Sequence, residues 1–169
     1  ALFTATSASC VTGLIVRDTA TQWSTFGQVV IIAMIQLGGL GFMTIATWFS
    51  MLLKRRLGLK EREMMVESIS TDSIGNIANI TKLIVSGTAI FEGAGALLLA
   101  TRFIPEFGIG KGIWYSVFHS ISAFCNAGFD LMGVKAEFSS LTGYVGDPLV
   151  NIVIMLLIIV GGLGFLVWN

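Results

Sequence analysis

The sequence predicts an all-α integral membrane protein built from repeated units of a helix, a re-entrant pore loop and a second helix. Of its 169 residues, 54% are hydrophobic and 12% are charged, which is too apolar for a soluble domain of this length. Long charge-free runs alternate with short polar motifs, and two of these motifs are near copies of each other.

The two copies are SASCVTGLI at residues 7 to 15 and SAFCNAGFD at residues 122 to 130. Their serine, alanine, cysteine and glycine match at a constant offset of 115 residues. Each copy has the polarity of a loop but precedes a long apolar run, so we expect both to dip into the membrane between spanning helices. Ion-conducting proteins keep their selectivity filters in such places.

Residues 26 to 53 contain no charge and exceed the ~20 residues that cross a bilayer, so they predict a transmembrane helix. Lys54, Arg55 and Arg56 follow, and residues 54 to 82 hold six of the ten Lys and Arg residues. The positive-inside rule therefore makes this connection cytoplasmic. Residues 1 to 53 form a first repeat that lacks its first helix, and residues 54 to 79 form the connection.

Residues 80 to 169 form the second repeat, with spanning helices predicted at 80 to 101 and 149 to 168. The first of these is interrupted only by Glu92 and is expected to end at Arg102 and Pro105. Between them lies a 12-residue apolar stretch.

That stretch, residues 113 to 124, is about 18 Å long as a helix, too short to cross, and predicts a re-entrant half helix. The loop at 125 to 129 contains Asn and Gly and would need protein or water around its backbone.

A second pair of similar motifs supports the repeat: LGGLGF at residues 37 to 42 and VGGLGF at residues 160 to 165. Both lie inside apolar runs, without the strand or the acidic residue of a nucleotide-binding fingerprint. We expect their glycines to allow close helix packing. A gating hinge is the lesser alternative.

Gly13 and Gly128 are the main candidates for an ion filter. A filter needs consecutive carbonyls turned toward one axis, and Gly reaches the required conformations without strain. The alternative is that each Gly merely caps a helix in the left-handed conformation. The preceding half helix turns its negative carbonyl end toward the pore, and no ring of Lys or Arg lies near either motif. A cation is therefore favoured.

Other polar residues of the predicted spans and loops have narrower interpretations. Asp130 either concentrates cations at the pore mouth or caps its own loop. Glu92 is expected to be structural, with His119 as its partner. Cys10 and Cys125 occupy matched places around an axis, so a disulfide is not expected, and no Cys/His cluster predicts a metal site.

These motifs resemble the Trk, Ktr and HKT superfamily of potassium transporters, and the likeness to the membrane subunit of bacterial Ktr systems covers essentially the whole chain. The family arranges four such repeats around one pore, so this chain resembles a fragment with two of them. The resemblance makes Gly13 and Gly128 the filter glycines. The neighbouring carbonyls would come from Val11, Thr12, Asn126 and Ala127.

The resemblance also implies a homodimer of membrane subunits and a cytoplasmic nucleotide-binding regulatory subunit that contacts the loop at residues 54 to 82. The charged, Met-containing stretch at 60 to 68 is a candidate docking surface there. Gly13 favours K⁺ as the transported ion because relatives with serine at this position tend toward Na⁺. Na⁺ is a second candidate, as a coupled or activating ion.

The sequence therefore predicts potassium uptake across a bacterial plasma membrane by a multi-pass protein that is not an enzyme. The balance of ten acidic and ten basic residues gives no sign of a nucleic-acid partner. One rival is a tetrameric potassium channel, which would show identical filters of the TVGYG type. The other is a non-conducting membrane scaffold, which would need no matched loops.

Overall fold

The computed structural model describes residues 1 to 41, Thr44 and residues 77 to 163. Within these residues every regular element is a helix, which confirms the all-α prediction. The α-helices are α1 (Leu2–Ser9), α2 (Thr19–Gln22), α3 (Thr25–Leu40), α4 (Ile77–Phe107), α5 (Ile109–Phe124) and α6 (Pro148–Gly162). Short 3₁₀ helices at Met132–Val134 and Ser140–Tyr144 lie between α5 and α6.

The first unit consists of α1 packed on α3, with the short helix α2 between them in sequence. Ser24 begins α3 by accepting a hydrogen bond from the amide of Gly27 at 3.3 Å. The helix ends at Leu40 because Gly41 has a φ of 79°. The prediction of one continuous helix over residues 26 to 53 is therefore wrong at Gly41, where the left-handed conformation interrupts it.

Helix α4 is the one described helix that is long and apolar enough to cross a membrane, over Thr81–Phe107. The predicted end near residue 101 is wrong, because the helix continues through Arg102 and Pro105. Pro105 lies in the last turn, so the one N–H···O bond that it cannot make, to the carbonyl of Thr101, is close to the end of the helix. The Arg102 side chain instead pairs with Asp147, with 3.2 Å between Nε and Oδ2.

Helix α5 has 16 residues, four more than predicted, because it begins at Ile109 after Gly108 with a φ of 80°. It is about 24 Å long, still short of the ~30 Å of bilayer hydrocarbon. It packs mainly on α4 and also contacts α6.

Helix α6 begins at Pro148, where Asp147 accepts hydrogen bonds from the amides of Leu149 at 3.0 Å and Val150 at 3.3 Å. Asp147 is therefore the N-cap, and the helix begins one residue before the predicted start at residue 149. The predicted boundaries at 53, 79 and 80 stay predictions. The basic cluster Lys54, Arg55 and Arg56, the stretch 60 to 68 and the last residues of the third predicted span lie outside the described residues.

The core gathers where α4, α5 and α6 meet the loop that follows α5. All four segments contribute fully buried side chains, and α3 adds Ile35; the others are Leu99, Phe103, Phe118, Leu131, Met132 and Val150. The loop after α5 is thus part of the packed interior. Because this loop is packed in the core, the polar motif at residues 122 to 130 is held in place relative to α4, α5 and α6.

Candidate ion filter

Helices α1 and α5 end in turns that have the same hydrogen-bond pattern. In each, two amides beyond the helix bond back to carbonyls of its last turn, which is the pattern of a Schellman motif. The bonds are Thr12 N to Ser7 O at 2.9 Å, Val11 N to Ala8 O at 3.2 Å, Ala127 N to Ser122 O at 2.8 Å and Asn126 N to Ala123 O at 3.0 Å. The offset of 115 residues that relates the sequences therefore also relates their backbone hydrogen bonds.

The backbone beyond both helices alternates into the left-handed region at matched positions. Val11 and Asn126 have φ values of 55° and 57°, and Gly13 and Gly128 have values of 75° and 72°. The capping position of each turn is held by Val11 or Asn126, so the alternative that the glycines are helix caps is wrong. Gly13 and Gly128 give each loop a second left-handed residue.

The two loops lie against each other at these glycines. A Cβ placed on Gly13 would lie 2.5 Å from the carbonyl oxygen of Ala127 and 3.4 Å from the Cα of Gly128. A Cβ placed on Gly128 would lie 3.6 Å from the Cα of Gly13. The fold therefore brings together the two motifs that the sequence places far apart.

We expect Val11→Asn to raise the thermal stability of the protein. A left-handed conformation costs an L-residue about 1–2 kcal/mol, and a β-branched side chain is a clear outlier there, whereas Asn is enriched. The thermal midpoint of the full-length protein in detergent measures the effect. The reciprocal variant Asn126→Val should lower the midpoint, and a Val11→Asn protein no more stable than the parent would contradict the assignment of strain.

Asp130 follows the second loop and caps it. Its Oδ1 accepts a hydrogen bond from the amide of Met132 at 2.9 Å, as the capping alternative predicts. Burial raises the pKa of the Asp130 carboxyl, and the Met132 hydrogen bond partly offsets the rise. The matched residue of the first loop is Ile15, so the two loops differ in charge as expected; a role of Asp130 at a pore mouth stays a prediction.

Glu92 is paired with Gln36, and the predicted pairing with His119 is wrong. The Gln36 Nε2 donates to both carboxylate oxygens, at 2.9 and 3.0 Å. Helix α5 does face Glu92, but through Ser120, whose hydroxyl donates to the Glu92 carbonyl at 2.7 Å. Since neighbouring helix residues point about 100° apart, His119 faces elsewhere.

Gln36 is a residue that sequence reasoning missed. Besides its bonds to Glu92, its Oε1 accepts a hydrogen bond from the Cys125 thiol at 3.6 Å. It therefore joins α3 of the first repeat to α4 and to the start of the second loop. The sequence signal that could have indicated it is its polar amide within the charge-free apolar run at residues 26 to 53.

We expect Glu92→Leu to destabilise the protein and Glu92→Gln to be tolerated. Leu leaves the half-buried Gln36 amide without its acceptor, a loss of about 1–3 kcal/mol, whereas Gln keeps one oxygen. Thermal midpoints in detergent and potassium uptake by the full-length variants test this. A Glu92→Gln protein that folds normally but does not transport would contradict the structural role.

One glycine of each glycine pair, on α3 and on α6, packs on the end of α1 or α5. A Cβ on Gly38 would collide with the carbonyl oxygen of Ser9, and one on Gly161 would collide with that of Phe124. Ser9 and Phe124 are matched positions at the ends of α1 and α5. Close packing is thus confirmed for these glycines.

Comparison with known proteins places the chain in a family of cation transport proteins. Residues 1–169 match the TrkH family of cation transport proteins. The chain is 47% identical to Ktr system potassium uptake protein B of Bacillus subtilis, over 99% of this chain and 36% of that protein.

It is 42% identical to potassium/sodium uptake protein NtpJ of Enterococcus hirae, over 100% of this chain and 36% of that protein. Ktr system potassium uptake protein D of Bacillus subtilis is 36% identical, over 98% and 36%. The chain belongs to the TrkH family, and it spans about a third of the length of these relatives.

Proposed function

We propose that this chain is part of a potassium uptake protein of a bacterial plasma membrane, and that ions pass through a filter of backbone carbonyls. The filter takes one segment from each loop: Val11, Thr12, Gly13, Asn126, Ala127 and Gly128. The protein performs no covalent chemistry. K⁺ is its cargo, and Na⁺ is the second candidate ion.

The observation that carries the proposal is the contact between two loops of matched backbone conformation. Both loops leave a half helix through the same turn, and both place a glycine in the left-handed region two residues later. Gly13 and Gly128 then lie next to each other. A scaffold has no need for two such loops in contact, whereas a filter needs backbone groups from several segments around one axis.

Electrostatics favour a cation at this position. Each half helix ends at a loop with its carbonyl groups, so the ends of α1 and α5 carry partial negative charge. Asp130 adds a carboxylate two residues beyond Gly128. Relatives named for potassium uptake, and in one case for potassium and sodium uptake, support the choice of ion.

The family and the charge pattern support a proposal for the location and the partners. We place the protein in the lipid bilayer as a multi-pass membrane protein, with residues 54 to 82 in the cytoplasm. Full-length copies form a homodimer, and a nucleotide-binding regulatory subunit contacts that cytoplasmic segment. The name "Ktr system" of two relatives supports a system of several components.

Potassium uptake by the full-length protein tests the function. Bacterial cells that lack their own uptake systems are supplied with the gene, and K⁺ and Na⁺ uptake are measured over a range of external concentrations. We expect growth at low K⁺ and a preference for K⁺ over Na⁺. A protein that reaches the membrane but supports no uptake of either ion would favour the scaffold.

A further inference from the structure

Side chains of α5 hold the chain where it leaves the second loop. The hydroxyl of Ser122 donates to the carbonyl oxygen of Phe129 at 2.6 Å. The amide of Leu131 donates to Nε2 of His119 at 3.3 Å. Phe129 is next to Gly128, so both bonds act directly beyond the proposed filter.

The hydrogen bonds of His119 determine the roles of its two ring nitrogens. Nδ1 lies 2.7 Å from the carbonyl oxygen of Tyr115, and a carbonyl can only accept, so Nδ1 carries the proton. The amide of Leu131 can only donate, so Nε2 is the unprotonated acceptor. Both nitrogens are thus used by backbone groups.

The ring of His119 is fixed by packing as well as by hydrogen bonds. It is 2% exposed, and its centroid lies 5.5 Å from that of Phe103 on α4 and 6.1 Å from that of Phe118. Such a ring cannot follow a displaced Leu131 amide, because close-packed interiors resist rearrangement. It is a rigid support for the loop exit.

The first repeat has no equivalent support in the part of the chain that the structure describes. The position that matches His119 is Thr4, and no side chain of α1 bonds to residues 14 to 16 there. Ser7, which matches Ser122, accepts a hydrogen bond from the Thr12 hydroxyl at 3.0 Å. The two loops therefore begin with the same turn, but among the described residues only the second is held by side chains of the preceding helix where it ends.

We propose that His119 is a positioning residue for ion selection, which acts by holding the exit of the second loop through its Nε2 acceptor. Together with Ser122 it fixes the direction of the carbonyls near Gly128, so the second loop is the rigid part of the filter and the first is the adaptable part. This inference rests on the proposed function.

Two substitutions separate this role from a general need for a polar side chain. His119→Gln can place an acceptor at the ε position, whereas His119→Asn reaches only the δ position. We expect the Gln variant of the full-length protein to keep the ratio of K⁺ to Na⁺ uptake within about twofold of the parent. The Asn variant should reduce the ratio about tenfold, as expected for losing one buried hydrogen bond.

Matched controls and a second variant complete the uptake experiment. Thr4→Val changes the equivalent site of the first repeat and should leave the ratio unchanged. Ser122→Ala removes the neighbouring support with a small change of volume and should also lower the ratio, so it tests the proposal even where His119 variants fail to reach the membrane. A normal ratio in His119→Asn or Ser122→Ala, or equal losses in the Gln and Asn variants, would overturn the proposal.

Hydrogen exchange distinguishes a failure of this inference from a failure of the proposed function. In the detergent-solubilised full-length protein, the Leu131 amide should exchange about tenfold faster in His119→Asn than in the parent. It should stay protected in His119→Gln. This pattern without any ion uptake by the parent would leave the support intact and refute the transport function, whereas unchanged exchange in His119→Asn would refute the support itself.

Discussion

Gly13→Ala is expected to abolish potassium uptake by the full-length protein and to lower its thermal midpoint. The added Cβ would lie 2.5 Å from the carbonyl oxygen of Ala127, and this backbone atom cannot move without displacing the second loop. Overpacking of this kind costs about 1–3 kcal/mol, and the left-handed conformation adds about 1–2 kcal/mol. Uptake assays and thermal unfolding in detergent measure both effects.

Gly128→Ala is the matched control for the packing part of this prediction. Its φ of 72° is close to that of Gly13, but its Cβ would lie 3.6 Å from the Cα of Gly13, an ordinary contact. Gly128→Ala therefore has the cost of the left-handed conformation but no collision, and its thermal midpoint should fall less than that of Gly13→Ala. Equal losses in the two variants would show that the loops do not meet as described.

Gly161→Ala is expected to cause the largest loss of stability among the paired glycines of α3 and α6. The methyl group would collide with the carbonyl oxygen of Phe124, at the end of α5. That carbonyl belongs to the helix end from which the second loop starts, so α6 must move away or the loop must shift. We expect a loss of about 1–3 kcal/mol, together with reduced uptake.

The neighbouring glycine provides the comparison on the same helix. A Cβ on Gly162 would be 3.8 Å from the Nδ2 of Asn126, so Gly162→Ala should change the stability by no more than about 0.5 kcal/mol. Thermal unfolding of both full-length variants gives the two values side by side. If Gly161→Ala were as stable as Gly162→Ala, the packing of α6 on α5 would be wrong.

The sequence alone predicts the helical class and the matched loops, because both depend on local patterns. A long charge-free run indicates a membrane span, and the constant offset of 115 residues relates two loops that the structure gives the same backbone hydrogen bonds. The helix ends are less predictable. Arg102 looks like a boundary in sequence, but it pairs with Asp147 from a distant loop, and the helix continues.

The partner of Glu92 could not be found from sequence for the same reason. Gln36 is 56 positions away and belongs to the other repeat, so only the packing of α3 on the second repeat brings the two side chains together. His119 is closer in the predicted topology but faces the loop exit. Hydrophobic periodicity does not specify such tertiary pairs among polar side chains.

The most direct test of the filter is ion uptake by the full-length Gly128→Ser protein beside the parent. A Cβ at Gly128 would lie 3.6 Å from the Cα of Gly13, an ordinary contact, but at a φ of 72° that side chains rarely adopt, so the substitution acts mainly on the backbone conformation and the carbonyls of the second loop. The account predicts a protein that reaches the membrane but takes up less K⁺ and discriminates less between K⁺ and Na⁺. Unchanged uptake with an unchanged ion preference would contradict the assignment of Gly128 to the filter.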